Sequence, residues 1–136
     1  MENCIFCKII KGEIPSIKVY EDNKFVAFED LKPANKGHTV IIPKEHSEDI
    51  LSMNKELGCS TLEVIQKIGT ACMKGLDAKG FNIIVNTKPE AGQVIFHTHI
   101  HIIPRYENDG IKHWKQYDIP EEERILSAEK IIKALE

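Results

Sequence analysis

Three histidines occupy alternate positions of one run, His97, His99 and His101 in "FHTHIHII". In an extended chain, alternation puts all three on one face, with neighbours roughly 6.5 Å apart at about 3.3 Å rise per residue. Phe96, Thr98, Ile100 and Ile102 take the other face, which can pack on a helix. Core burial does not account for such a row, because each imidazole brings a donor and an acceptor that need partners. The spacing leaves room for a catalytic Zn²⁺ held by the three imidazoles with an open position for water. A second set is Cys4 and Cys7, a C-x-x-C pair, with His46 and His97. Two thiolates and two imidazoles suit a closed, structural tetrahedral Zn²⁺ site. C-x-x-C also serves thioredoxin-like redox chemistry, but no strand precedes this pair and no helix start is read beside it.

These residues need a scaffold. The chain has 136 residues, about one domain, enough to bury a core without staples. Its net charge of −3 gives no general attraction to nucleic acid or anionic membrane. The start, "MENCIFCKIIKGEIP", lacks an uninterrupted apolar leader, and no later segment approaches a membrane span, so a cytoplasmic protein is expected. In that reducing compartment the four cysteines are not expected to form disulfides; Cys59 and Cys72 read as helix or core thiols.

"SIKVYEDNKFVAFED" reads as a hairpin, with Val19 and Tyr20 in one strand, 25–28 in the other, and Asp22 and Asn23 in the turn. "GHTVIIPK" is a third strand stopped by Pro43. Leu62, Ile65, Ile68, Cys72 and Leu76 recur at helical spacing and form the buried stripe of a long helix. "GFNIIVN" and "IFHTHIHIIP" are two more strands around the loop "TKPEAGQ", and Pro120 with Glu121, Glu122 and Glu123 starts a helix over the last seventeen residues.

"HTHIHII" resembles the alternating signature of the histidine triad (HIT) superfamily, with Thr98 at the first apolar position. The likeness extends through "CIFCKIIKGEIPS", "AFEDLKPANKGHTVIIPKEH", Val85–Asn86 and "AGQVIFHTHIHIIPR", covering roughly residues 4–106, and is closest to the Hint-like branch. It implies an α+β HIT-like fold: an antiparallel sheet of about five strands, one long helix, and a C-terminal helical segment over 107–136. It also implies a single domain over 1–136 and a homodimer paired through the long helix and an edge strand.

The implied activity is a hydrolase or transferase acting at the α-phosphate of purine nucleoside 5′-phosphoramidates or related nucleotidyl compounds. His99 is then the nucleophile that carries the nucleotidyl group, and His101 donates to a phosphate oxygen or the leaving group, with no catalytic metal. By the same resemblance Asp30 accepts from the ribose hydroxyls, and Phe6, Ile9, Phe28 and Leu31 sandwich the base. Asn86, Gln93 and the main chain at Val94 bind phosphate. Taken alone, the four apolar residues read as core and Asp30 as a turn cap. Many bacterial members hold structural zinc at the positions of Cys4, Cys7, His46 and His97. Val94 and the "IIPR" after the triad depart from the eukaryotic pattern and bear on the leaving group. Other readings are a dinucleoside polyphosphate hydrolase, the three-histidine zinc hydrolase and a nucleotide-binding adaptor without turnover. His38 reads equally as support for the active-site histidines or as a surface residue.

Overall fold

A computed structural model describes residues 3–136. Strands β1 (Lys18–Glu21) and β2 (Phe25–Glu29) form the expected hairpin. Asp22 fixes the turn, its Oδ1 accepting from the N–H groups of Lys24 at 2.7 Å and Phe25 at 2.8 Å. Strand β3 (Thr39–Pro43) pairs with β2 and ends with Pro43 opposite Phe25. With β4 (Gly80–Ile84) and β5 (Ile100–Arg105) these make one antiparallel sheet in the order β1-β2-β3-β5-β4.

The two faces of the sheet follow the period of two along its strands. Phe25, Ala27, Ile41, Ile100 and Ile102 pack against Val64, Ile68 and Cys72 of the long helix α2 (Gly58–Gly75). Val26, Phe28, Val40 and Ile42 point the other way, where Phe6 and Ile9 of the short helix α1 (Ile5–Ile10) meet them. Each of the buried valine, isoleucine and phenylalanine side chains contributes about 1.5–3 kcal/mol relative to exposure. Gly69 lets α2 approach β4 closely, since the Phe81 ring fills the space a Cβ would take.

Three expectations need correction. The buried stripe of α2 runs through Val64, Ile68 and Cys72, preceded by Leu57 in a 3₁₀ turn, while Leu62 is 55% exposed. The helix is thus rotated from the face that Leu62 suggested. The strand read from Ile95 begins only at Ile100, opposite Ile41; in that register β3, ending at Pro43, reaches no further than Thr98 and offers no ladder to 95–97. Ser47 captures that segment instead: its carbonyl accepts from Thr98 N–H at 2.8 Å, and the two hydroxyls lie 2.6 Å apart. Thr98 is therefore buried on the 44–49 loop and Phe96 is 44% exposed, so neither shares the helix-facing side with Ile100 and Ile102. Finally, the C-x-x-C pair does stand at a helix start, with Cys4 as the N-cap of α1 and its sulfur accepting from Cys7 N–H.

The C-terminal helix is α3 (Glu121–Leu135), and all its residues are exposed. Among the described residues no helix is long and apolar enough to cross a membrane.

Candidate active site and metal centre

The bend before β5 sends the first two triad rings to different tasks. His97, fully buried, meets Cys4, Cys7 and His46. Its Nδ1 lies 3.4 Å from Cys4 Sγ, 3.6 Å from Cys7 Sγ and 3.1 Å from His46 Nδ1, and Cys7 Sγ is 3.4 Å from His46 Nδ1. Zn–S and Zn–N bonds of about 2.3 and 2.0 Å in a tetrahedron require ligand separations of roughly 3.3–3.8 Å, close to those observed. His97 Nε2 donates to the Pro43 carbonyl at 2.8 Å, which leaves Nδ1 as a lone pair facing the cluster, the usual outer bond of a metal-bound imidazole. Two imidazole nitrogens facing each other call for a proton or a cation between them. Burial, then the Cys4 sulfur, hold the Cys7 thiol above its ordinary pKa. Two sulfurs and two imidazole nitrogens converging at these separations are a donor set that fits Zn²⁺.

On the other side of Phe6 a cavity of about 700 Å³ opens over the α1 face of the sheet. The Phe6 ring stands edge-on to both His97 and His99, at centroid distances of 5.9 and 5.1 Å, and divides metal cluster from cavity. Phe6, Ile9 and Phe28, each 6% exposed, form the floor, whereas Leu31 and Val94, 89% and 82% exposed, stand at the rim. Strand register explains the wall: Phe28 pairs with Val40 and Val40 with His101, so the three lie side by side. Val40, Ile14 and Ile95 belong to the lining and were not singled out in the sequence; the alternation of β3 could have found Val40.

His99 and His101 face the cavity with ring centroids 4.9 Å apart. His99 Nδ1 lies 2.7 Å from the His97 carbonyl and so donates to it, leaving Nε2 with the lone pair. His101 is set by a relay. Ala34 N–H donates to His38 Nδ1 at 2.9 Å, so neutral His38 carries its proton on Nε2 and passes a hydrogen bond to His101 Nδ1 at 2.8 Å. His101 must then carry its own proton on Nε2. Burial lowers the pKa of His38, and burial followed by the neighbouring His99 and His38 lowers that of His101 to about 4, with Asp30 opposing both shifts. Both shifts favour the neutral ring.

Asp30 follows β2, its N–H donating to the His38 carbonyl at 2.9 Å and its Oδ1 accepting from Lys32 N–H at 2.8 Å. Oδ2 lies 3.6 Å from His38 Nε2 and 3.9 Å from His101 Nδ1, at the cavity wall. Asp30, His38 and His101 are close enough to suggest a metal site, but the bond from Ala34 leaves His38 Nε2 protonated and without a free lone pair. Nor do the three triad rings converge: His97 turns to the cysteines and His101 Nδ1 to His38, which disfavours the three-histidine zinc. Asn86 lines the cavity beside Gly92. Gln93 does not; it is 3% exposed, donates from Nε2 to the carbonyls of Glu48 and Ile95, and accepts from Lys88 N–H. Its side chain is committed to holding its own loop.

The HIT domain family model matches residues 11–108. The chain is 36% identical over 131 residues to adenosine 5′-monophosphoramidase hnt1 of Schizosaccharomyces pombe, spanning 93% of this chain and 95% of that one. The structure of SMU.412c from Streptococcus mutans superposes with a TM-score of 0.91 at 42% identity, covering all of this chain and 87% of the other. A Zn-bound histidine triad family protein from Mycobacterium smegmatis gives a TM-score of 0.78 at 35% identity, with 99% of both chains covered. A family match over most of the chain, on a cavity walled by two of three alternating histidines, places this protein in the HIT domain family.

Proposed function

We propose that this protein hydrolyses, or transfers the nucleotidyl group from, purine nucleoside 5′-phosphoramidates and related nucleotidyl compounds. The observation that carries the reading is the hydrogen bond from His99 Nδ1 to the His97 carbonyl, which leaves an unprotonated Nε2 on a ring at the cavity wall. That nitrogen attacks the α-phosphorus; the P–N bond to the leaving amine breaks as the N–P bond to His99 forms, and water then displaces His99 in the second step. His101, protonated on Nε2 by the relay, stabilises charge on the phosphate or leaving group. The base lies on Phe6, Ile9 and Phe28 beneath the rim at Leu31, the ribose hydroxyls donate to Asp30, and Asn86 and the main chain at Val94 hold phosphate. The adenosine 5′-monophosphoramidase named among its relatives supports this substrate class.

Zn²⁺ held by Cys4, Cys7, His46 and His97 is assigned a structural role, supported by the Zn-bound relative and the ligand spacing. When bound it would cross-link α1, the 44–49 loop and the triad segment. A homodimer formed through α2 and the β4 edge is supported by the open edge of β4 and by the exposed Ile83, Leu62 and Met73.

The test is a rapid acid quench of protein with labelled adenosine 5′-phosphoramidate, analysed for a nucleotidyl adduct on His99. The adduct should form and decay at rates that account for turnover, and His99→Ala should abolish both while still binding AMP. Turnover with no adduct at any time, and undiminished in His99→Ala, would refute the covalent route.

A further inference from the structure

Lys88 has φ 74° and ψ 157°, a backbone conformation that is essentially reserved for glycine. A lysine stays there only where its surroundings over-determine the geometry. The surroundings are visible. Lys88 Nζ meets Asp49 Oδ2 at 2.7 Å, and the Asp49 side chain is only 4% exposed. Lys88 N–H donates to Gln93 Oε1 at 2.8 Å, and the Lys88 carbonyl accepts from the N–H groups of Ala91 and Gln93 at 3.1 and 3.2 Å. Gln93 Nε2 in turn donates to the Glu48 carbonyl at 2.8 Å. The two ends of the six-residue turn 88–93 are thus buckled to neighbouring residues of the 44–49 loop, Lys88 to Asp49 and Gln93 to Glu48.

Asp49 is a firm anchor. Its Oδ1 accepts from Leu51 N–H at 3.0 Å and Ser52 N–H at 3.2 Å, and the Lys88 ammonium holds its carboxyl below the usual carboxylate range. An exposed lysine–carboxylate pair on a relaxed backbone would be unremarkable. Here one partner is buried and the other sits in a strained conformation, and the turn between them leads into the cavity wall: Asn86, Gly92 and Val94 line it beside His99 and His101.

We propose that Lys88, through its ion pair with buried Asp49, is a positioning residue that clamps the 86–94 loop so that Asn86 and the main chain at Gly92 and Val94 face the phosphate. The assignment rests on the nucleotide reading given above. Without the clamp Lys88 relaxes to an ordinary φ, the turn rotates, and the phosphate-side wall moves while the base floor on α1 and β2 stays.

The experiment compares four proteins: wild type, Asp49→Asn, Lys88→Gly and the double variant. Asp49→Asn keeps the side-chain size and an oxygen for Leu51 and Ser52 but removes the charge; Lys88→Gly lets the backbone hold its geometry unaided. Asp49→Asn should lower kcat/KM for adenosine 5′-phosphoramidate by about 10- to 100-fold, the scale of a small misplacement at the reacting centre. It should weaken AMP while leaving adenosine binding within about twofold. In the Lys88→Gly background the same change should cost no more than about threefold, because both the ion pair and the strain it restrains are already gone. Lys88→Arg, which keeps the charge, should retain the wild-type ratio of AMP to adenosine affinity. A loss from Asp49→Asn that is the same in both backgrounds, or a parallel loss of AMP and adenosine, overturns the clamp. Wild-type protein that binds neither AMP nor adenosine overturns the nucleotide reading and the positioning role with it, whereas turnover unaltered by Asp49→Asn overturns the positioning role alone.

Discussion

Replacing His38 by Phe tests the relay that sets the His101 proton. In the native chain Ala34 N–H fixes the His38 tautomer, and His38 fixes His101 as a donor at Nε2. Phe fills the buried space, since His38 is only 6% exposed, but offers His101 Nδ1 no hydrogen bond. The nearest remaining partner for that nitrogen is Asp30 Oδ2 at 3.9 Å. It accepts only from an N–H, so the proton moves to Nδ1 and Nε2 becomes a lone pair turned on an anionic phosphate. A hydrogen bond to a charged acceptor contributes about 1.5–3 kcal/mol, roughly 10- to 150-fold in tautomer ratio. The carboxylate must close by about 1 Å to reach bonding distance, so the lower end applies, and kcat for adenosine 5′-phosphoramidate should fall about tenfold with KM little changed. Nitrogen NMR of the His101 ring reads the tautomer directly, and thermal melting checks that the variant folds. An Nε2–H tautomer in His38→Phe refutes the relay; an Nδ1–H tautomer with undiminished kcat refutes the donor role of His101.

Cys4→Ser with Cys7→Ser should remove zinc, measured as metal content per chain, and lower the melting temperature, since a structural site contributes folding free energy directly; protein that is metal-free from the outset and equally stable contradicts the assignment. The acid side of the stability profile should carry the mark of His101. Its folded pKa of about 4 lies below the unfolded value of about 6.5, so the unfolded chain takes the proton first and stability is lost as pH falls across that window. His38 contributes with the same sign, Asp30 opposes, and the rings of His38 and His99 are the other groups that press on His101. Urea midpoints between pH 7 and 4.5 should fall less steeply in His101→Gln than in wild type, and equal slopes would contradict the shift.

Much of the sheet could be read from period alone. Phe25 and Ala27 alternate with Val26 and Phe28, and both sets prove buried, one beneath α2 and one beneath α1. The helix phase was harder, because Leu62 and Val64 are equally apolar and only packing on β3 and β5 decides which is buried. The start of β5 depended on where its partner ends and on Ser47, fifty-one residues from Thr98. The cavity residues Phe6, Ile9 and Phe28 look like core in any sequence; the family pattern, not their chemistry, marks them. His38 could not be assigned because its partners, Ala34 and His101, are four and sixty-three residues away and only the tertiary fold makes them a chain. Lys88 carries no sign in the sequence at all. Its side chain is ordinary, and the strain lies in a backbone angle that a distant carboxylate holds.

The spacing of two between the histidines has a physical use beyond placing rings on one face. No regular strand exists at 97–99, yet the spacing still matters, because His99 Nδ1 reaches back to the carbonyl of the residue two before it. That residue is His97, whose ring is held by Pro43 and by the sulfur and nitrogen atoms around it. The main-chain oxygen that fixes the tautomer and direction of the His99 ring is therefore anchored by the cluster's own side chain. A spacing of one or three would break this link, giving His99 a carbonyl on a residue whose ring is not in the cluster. His101 is oriented from the opposite side, by His38 and β3, so the two working rings take their proton positions from independent supports. Loss of the cysteine cluster should consequently loosen His99 while leaving the His101 tautomer intact, which separates the cluster's effect on orientation from any general loosening of the sheet.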